Sequence, residues 1–212
     1  MRINLTNAGK RFNRDWIFRK VDYTFHAGHT YAITGSNGSG KSTLLQSLAG
    51  SMDISEGKIN WELNSKAVHP DNIFRHFTIV APYLEVIEEM TAVEFLQFHQ
   101  QFKQLLPGTS IKDILSIIGL DKAANKQIRY YSSGMKQRIK LAQAIFSDVP
   151  LLLLDEPCTN FDTSGFDLYH ELIENYAKGK TIVVSSNDQN EYSFCQEVIS
   201  IMDYKGNGVK VT

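Results

Sequence analysis

The sequence predicts an α/β fold around a central, mainly parallel sheet, and three observations carry that prediction. A glycine-rich stretch, Gly35-Ser36-Asn37-Gly38-Ser39-Gly40-Lys41-Ser42-Thr43, follows the apolar run Tyr31-Ala32-Ile33-Thr34 and precedes a helical run containing Leu44, Leu45, Leu48 and Ala49. Far downstream, Leu151-Leu152-Leu153-Leu154 runs into Asp155-Glu156-Pro157. Leucines without polar alternation mark a strand covered on both faces, which delivers its acids to the C-terminal edge of a parallel sheet. Between and beyond these two stretches, strand-like and helix-like segments alternate.

Taken in order, Ile3, Leu5 and then Trp16 to Phe25 read as strands, because Val21, Tyr23 and Phe25 are β-prone and alternate with polar residues. The helix after the glycine-rich stretch stops at Gly50. A further alternating segment spans Gly57 to Leu63, and the polar stretch Asn64 to Asp71 reads as a loop. Phe77 to Ala81 is a compact strand ended by Pro82. The character then turns helical. Thr91 and Glu94 form a capping box ahead of Phe95, Phe98, Phe102 and Leu105, a stripe read as core on a helix that Pro107-Gly108 closes. Ser110 starts a second helix, stopped by Gly119. Residues 84–132 are thus expected as a helical lobe inserted in one domain spanning 1–212. Ser132 opens another helix with Ile139, Ala142, Ile145 and Phe146 inward. A helix over Ser164 to Ala177, a strand over Thr181 to Val184 and a last helix-strand pair complete the alternation. No internal repeat or low-complexity linker interrupts it.

The glycine-rich stretch fits G-x-x-x-x-G-K-[ST] through Gly35, Gly40, Lys41 and Ser42. Backbone N–H groups of such a loop converge on an anion, and a Cβ at the glycines would hold a phosphate away or resist positive φ. Lys41 brings charge to the β- and γ-phosphates, Ser42 a hydroxyl for Mg2+, and the following helix its N-terminal dipole. The acids complete the pair: Asp155 can hold Mg2+ through water, and Glu156 can polarise a water that attacks the γ-phosphate.

The 212 residues (24.0 kDa) suit one domain with a substantial core, and 42% hydrophobic with 21% charged residues is ordinary for a globular chain. A formal charge of -1 gives no basic excess for holding a phosphate backbone, so nucleic acid is not expected as a partner. The two cysteines, Cys158 and Cys195, lack metal-ligand spacing and read as free thiols in a reducing cytosol. The first residues carry no apolar signal core, and the longest aliphatic run, Leu151 to Leu154, is far short of a membrane span. Work at a membrane would need a partner.

With Tyr131-Ser132-Ser133-Gly134-Met135 added to these motifs, the chain resembles the nucleotide-binding subunits of ABC transporters over nearly its whole length, from about Ile3 to Ile201. The resemblance implies a P-loop NTPase core with an N-terminal antiparallel β subdomain and an inserted helical subdomain. It places Gly35 to Ser42 at the Walker A motif, with Thr43 beside it. Leu151 to Asp155 stands at Walker B, and Glu156 at the catalytic glutamate. Ser132 and Gly134 fit the signature motif, from which Tyr131, Ser133 and Met135 depart. Asn160-Phe161-Asp162 matches the D-loop, and Phe12, rather than Trp16, stands where an aromatic stacks on adenine. Tyr83 occupies or adjoins the place of the family's Gln, and Asn187 that of its switch His. An Asn amide can donate a hydrogen bond to a phosphate but cannot carry a proton.

The resemblance further implies ATP and Mg2+ as cofactors and a sandwich of two chains, homodimer or heterodimer, in which Ser132 meets the γ-phosphate held by the other. It implies a transmembrane permease subunit whose short helix docks beside Tyr83 to Glu89, with Glu88 and Glu89 selecting a basic partner. The protein would then be cytoplasmic, peripheral on the inner face of the membrane. Export is favoured by the short chain and by Ser132-Ser133-Gly134-Met135-Lys136-Gln137-Arg138. Two alternatives differ in class. A soluble ATPase acting on nucleic acid or ribosomes would carry tandem halves, long insertions or basic arms, none of which is present. A slow ATP-gated switch is suggested by Tyr83 and Asn187.

Overall fold

The computed structural model describes residues 1–205; residues 206–212, the end of the expected 1–212 domain, lie outside the described residues. Strands β1 (Arg2–Phe12), β2 (Asp15–Phe25), β4 (Glu56–Leu63) and β5 (Lys66–Val68) form an antiparallel sheet in the order β2-β1-β4-β5. Strands β3 (Thr30–Thr34), β6 (Phe77–Val80), β7 (Leu151–Asp155), β8 (Thr181–Ser185) and β9 (Glu197–Ser200) form a parallel sheet in the order β6-β7-β8-β3-β9. Strand β5 lies in the stretch read as loop. Asn64 and Ser65, at φ 50 and 62, make the two-residue left-handed turn that suits a β-hairpin, and Leu63 then pairs with Lys66.

Every residue of β7 is buried. Its side chains alternate between two cores, as strand geometry requires. Leu152 and Leu154 join Val184, Ile139 and Ile145, whereas Leu151 and Leu153 join Ile33, Val183 and Leu44. The first core lies against α4 (Ser133–Ile145) and α5 (Thr163–Tyr176). The second lies between the parallel sheet, α1 (Lys41–Leu48) and the antiparallel sheet.

Helices α2 (Ala92–Gln100) and α3 (Ile111–Ile117) carry complete capping boxes, Thr91 with Glu94 and Ser110 with Asp113. The phenylalanine stripe needs correction. Helix α2 ends at Gln100, so helical spacing no longer governs Phe102, which is 70% exposed; Phe98 is 40% exposed, and only Phe95 and Leu105 are buried. Beyond the helix the chain is pulled against the end of α4, where Leu106 N–H donates to Phe146 O and Asp148 N–H to Gln104 O. Leu105 is buried through that contact.

Candidate active site

In the parallel sheet β8 separates β7 from β3, so the segments leaving the C-terminal ends of all three emerge side by side. They are the glycine-rich loop after β3, Asp155-Glu156 at the end of β7, and Ser186-Asn187-Asp188 after β8. Gly35 and Gly40 have φ of 145 and 105, and neither has room for a side chain. A Cβ on Gly35 would come within 2.5 Å of Ile201 Cγ2, and one on Gly40 within 2.3 Å of Ile17 Cγ2. The hairpin β1-β2 and the segment after β9 therefore wall the loop. Helix α1 begins directly behind it, with no side-chain cap and no acid in its first turn, which leaves its positive end for an anion. Lys41 is buried, its Nζ donating to Gly35 O at 2.8 Å.

Asp155 is only 2% exposed, and among the described residues it forms no ion pair with Lys, Arg or His. A buried carboxylate without a cationic partner calls for a compensating charge. Its carboxylate and the Ser42 hydroxyl are both hard oxygen donors of the kind Mg2+ takes, so the chemistry of these residues fits that ion. Glu156 is exposed and sits at φ 45, an uncommon conformation for a residue with a Cβ that costs about 1–3 kcal/mol. Its N–H donates to Ser185 O at 2.9 Å, which ties the turn to β8.

Asn187 faces the phosphate loop. Its Oδ1 accepts from Gly35 N–H at 3.1 Å, and its Nδ2 donates to Asn37 Oδ1 at 3.2 Å. The alternative use of Asn187, as the cap of α6 (Gln189–Tyr192), does not occur: Asp188 Oδ1 accepts from Asn190 N–H at 2.9 Å and caps that helix instead. Tyr83 lies beside Gln46 of α1. Burial pushes its phenol pKa up, the Gln46 contact opposes this, and the charge of Asp155 adds to it. The phenol thus stays protonated beside Asp155. Gln46 is not legible in the sequence as a site residue, because a lone polar residue within a helix carries no signal.

Phe12 is 46% exposed at the hairpin tip, with Lys10 Nζ 5.0 Å from its ring centroid. Trp16 is covered instead, with the Arg11 and Arg19 guanidinium carbons 5.6 and 4.3 Å from its ring centroid. Phe12 is the more exposed of the two rings. Among the described residues, Ser132 and Asp162 make their side-chain hydrogen bonds to their own helices and none to the phosphate loop. Exposed Ser132 caps α4, its Oγ accepting from Met135 N–H at 3.3 Å. Asp162 caps α5 by accepting from Gly165 N–H at 2.9 Å, and its carboxyl is held low first by Ser164 and then by that N–H. Tyr131, which departs from the signature motif, is buried with its OH donating to Ala123 O.

The acids after Tyr83 were expected to await a basic partner, but the chain supplies its own bases. Glu88 pairs with Lys136 of α4, and Glu89 with Arg129 at 3.3 Å. A cleft of about 770 Å³ opens nearby, lined among others by Phe74, Arg75, Leu84, Glu85, Phe102 and Lys103. Among the described residues no helix is long and apolar enough to cross a membrane.

Comparison with known proteins decides the family. The family model described as ABC transporter matches residues 18–159. The chain belongs to the ABC transporter family. It is similar to an uncharacterized ABC transporter ATP-binding protein, YybJ, of Bacillus subtilis, 30% identical over 95% of this chain and 89% of that one. It is also similar to the cytochrome c biogenesis ATP-binding export protein CcmA of Haemophilus influenzae, 28% identical over 96% and 97% of the two chains. Among solved structures, the bacterial ABC transporter cassette MJ0796, described as dimeric, superposes with a TM-score of 0.78 at 23% identity over 93% of each chain. This ABC chain is an ATP-binding subunit of a transporter, with an α/β P-loop ATPase fold and ATPase activity.

Proposed function

We propose that residues 1–212 form one ABC-type domain that hydrolyses ATP with Mg2+ as a closed dimer, coupled to a separate membrane subunit. The observation that carries this reading is the meeting of three segments, after β3, β7 and β8, at one sheet edge. Backbone N–H groups from Gly35 to Thr43 and the Lys41 ammonium hold the triphosphate, and the exposed ring of Phe12 stacks on adenine. Ser42 and Asp155 would hold Mg2+, which supplies charge neutralisation between the β- and γ-phosphates. Glu156, exposed in its strained turn, accepts the proton of the attacking water. The Asn187 amide donates to the γ-phosphate, and Tyr83 lies beside Asp155 to sense that same place.

Ser132 and Asp162 make no hydrogen bond to this chain's own phosphate loop among the described residues, and with Gly134 they are read as facing the ATP of a second chain, identical or homologous. A cassette described as dimeric and similar in fold supports that reading. The cleft lined by Phe74, Leu84 and Phe102 would receive a helix of the transmembrane permease and hold the protein peripherally on the inner face of the cell membrane. Similarity to a protein named as an ATP-binding export protein favours export. The test is association: Glu156→Gln with saturating MgATP is expected to run as a dimer on a sizing column. A monomer under those conditions would refute the sandwich.

A further inference from the structure

The turn that presents Glu156 is followed at once by a peptide group held from both sides. The Pro157 carbonyl accepts from Gln137 Nε2, a side chain of α4. The Cys158 N–H of the same peptide group donates to Glu191 Oε1 of α6 at 2.7 Å. Gln137 and Glu191 are 6% and 5% exposed, so both bonds are shielded from water. Glu191 is itself anchored, because its backbone carbonyl accepts from the fully buried Tyr169 OH at 2.8 Å and its N–H donates to Asp188 O at 3.0 Å. Burial pushes the Glu191 carboxyl up, opposed by hydrogen bonds from Ser186 and from the Cys158 N–H, while Asp188 and Glu156 add further upward pressure. Among the described residues no Lys, Arg or His pairs with it. A buried carboxyl with acids around it and no cation is costly, and its evident use here is as an acceptor.

We propose that Gln137 and Glu191 are positioning residues for ATP hydrolysis, clamping the Pro157–Cys158 peptide group and so fixing the turn that aims Glu156. The clamp answers a specific need. Glu156 stands at positive φ, a conformation that persists only when its surroundings over-determine it. Upstream, the turn is tied by Glu156 N–H to Ser185 O. Downstream, the rigid planar peptide with one buried partner at each polar end supplies the second fixed point. The same clamp joins three parts of the site. Helix α4 is capped by Ser132, the clamped peptide lies between Glu156 and Asp162, and α6 follows Asn187. A shift of α4 or α6 is therefore transmitted to Glu156 through one peptide group.

This inference rests on Glu156 being the general base, and the experiment separates the two. Glu191→Met keeps the side-chain volume but leaves the Cys158 N–H without an acceptor, Glu191→Gln restores an acceptor oxygen, and Gln137→Met removes the opposite jaw. Steady-state turnover, ATP affinity by calorimetry and melting temperature are measured for each purified full-length variant. Misplacing a catalytic group by about 1 Å can cost about a hundredfold. Both Met variants are expected to lose at least tenfold in kcat with KM and ATP affinity unchanged, while Glu191→Gln stays within threefold of wild type. In a Glu156→Gln background, adding Glu191→Met should change the residual rate no further, since both act through one group. A folded Glu191→Met or Gln137→Met enzyme losing less than tenfold overturns the clamp, as does a Gln variant as slow as the Met variant. Wild-type turnover in Glu156→Gln alone would instead refute the role of Glu156.

Discussion

Replacing Asn187 tests the side chain that reaches from the end of β8 to the phosphate loop. Its amide makes two neutral hydrogen bonds to the phosphate loop, accepting from Gly35 N–H at 3.1 Å and donating to Asn37 Oδ1 at 3.2 Å. Each such bond contributes about 1 kcal/mol net, so a purely bracing role would cost Asn187→Ala about 2 kcal/mol. That loss would appear in melting temperature and in ATP binding. A donor aimed at the γ-phosphate in the transition state is a larger effect, about 3 kcal/mol or roughly a hundredfold in kcat. Asn187→Ala is therefore expected to lower kcat about a hundredfold while KM rises by far less, and Asn187→His to match or exceed wild type. Asn187→Ser should behave like Ala, because a hydroxyl on one carbon falls short of both loop partners and the capping role already belongs to Asp188. Turnover of the three variants at saturating MgATP is the assay. A Ser variant with wild-type kcat, or an Ala variant whose only defect is weaker binding, would refute the switch role.

Lys41→Ala removes the buried ammonium that curls over the phosphate loop, and calorimetry is expected to show strongly weakened MgATP binding. Equal affinity in wild type and mutant would contradict the site. Adding Ser132→Arg to Glu156→Gln should return the ATP-bound dimer to monomer on a sizing column, because Ser132 is exposed at the start of α4. Phe102→Asp puts a charge on a 70% exposed ring in the cleft and should reduce recovery of the protein with membranes while leaving ATP affinity unchanged. Undiminished recovery would place the membrane partner elsewhere. Thr91→Ala opens a complete capping box and is expected to cost about 1 kcal/mol of stability in urea unfolding, with ATP binding unchanged.

Features that depend on near neighbours were legible in the residues alone. The capping box at Thr91, the helix start at Ser110, the glycine positions of the phosphate loop and the solid leucine strand of β7 are local patterns, and each formed as its spacing required. Tertiary structure decided what depends on distant pairs. Phe102 was assigned to a core by helical spacing, yet α2 stops early because the following chain bonds to the end of α4, a contact invisible in local periodicity. Glu88 and Glu89 read as free acids until folding brought Lys136 and Arg129 to them across the start of α4. Asn187 could have capped its own helix or reached the loop, and only the adjacency of β8 and β3 placed Gly35 and Asn37 within its reach. Gln137 and Glu191 gave no signal, since isolated polar residues on helices read as solvent-facing; burial against one peptide of the chain between them gave each a hydrogen-bonding role.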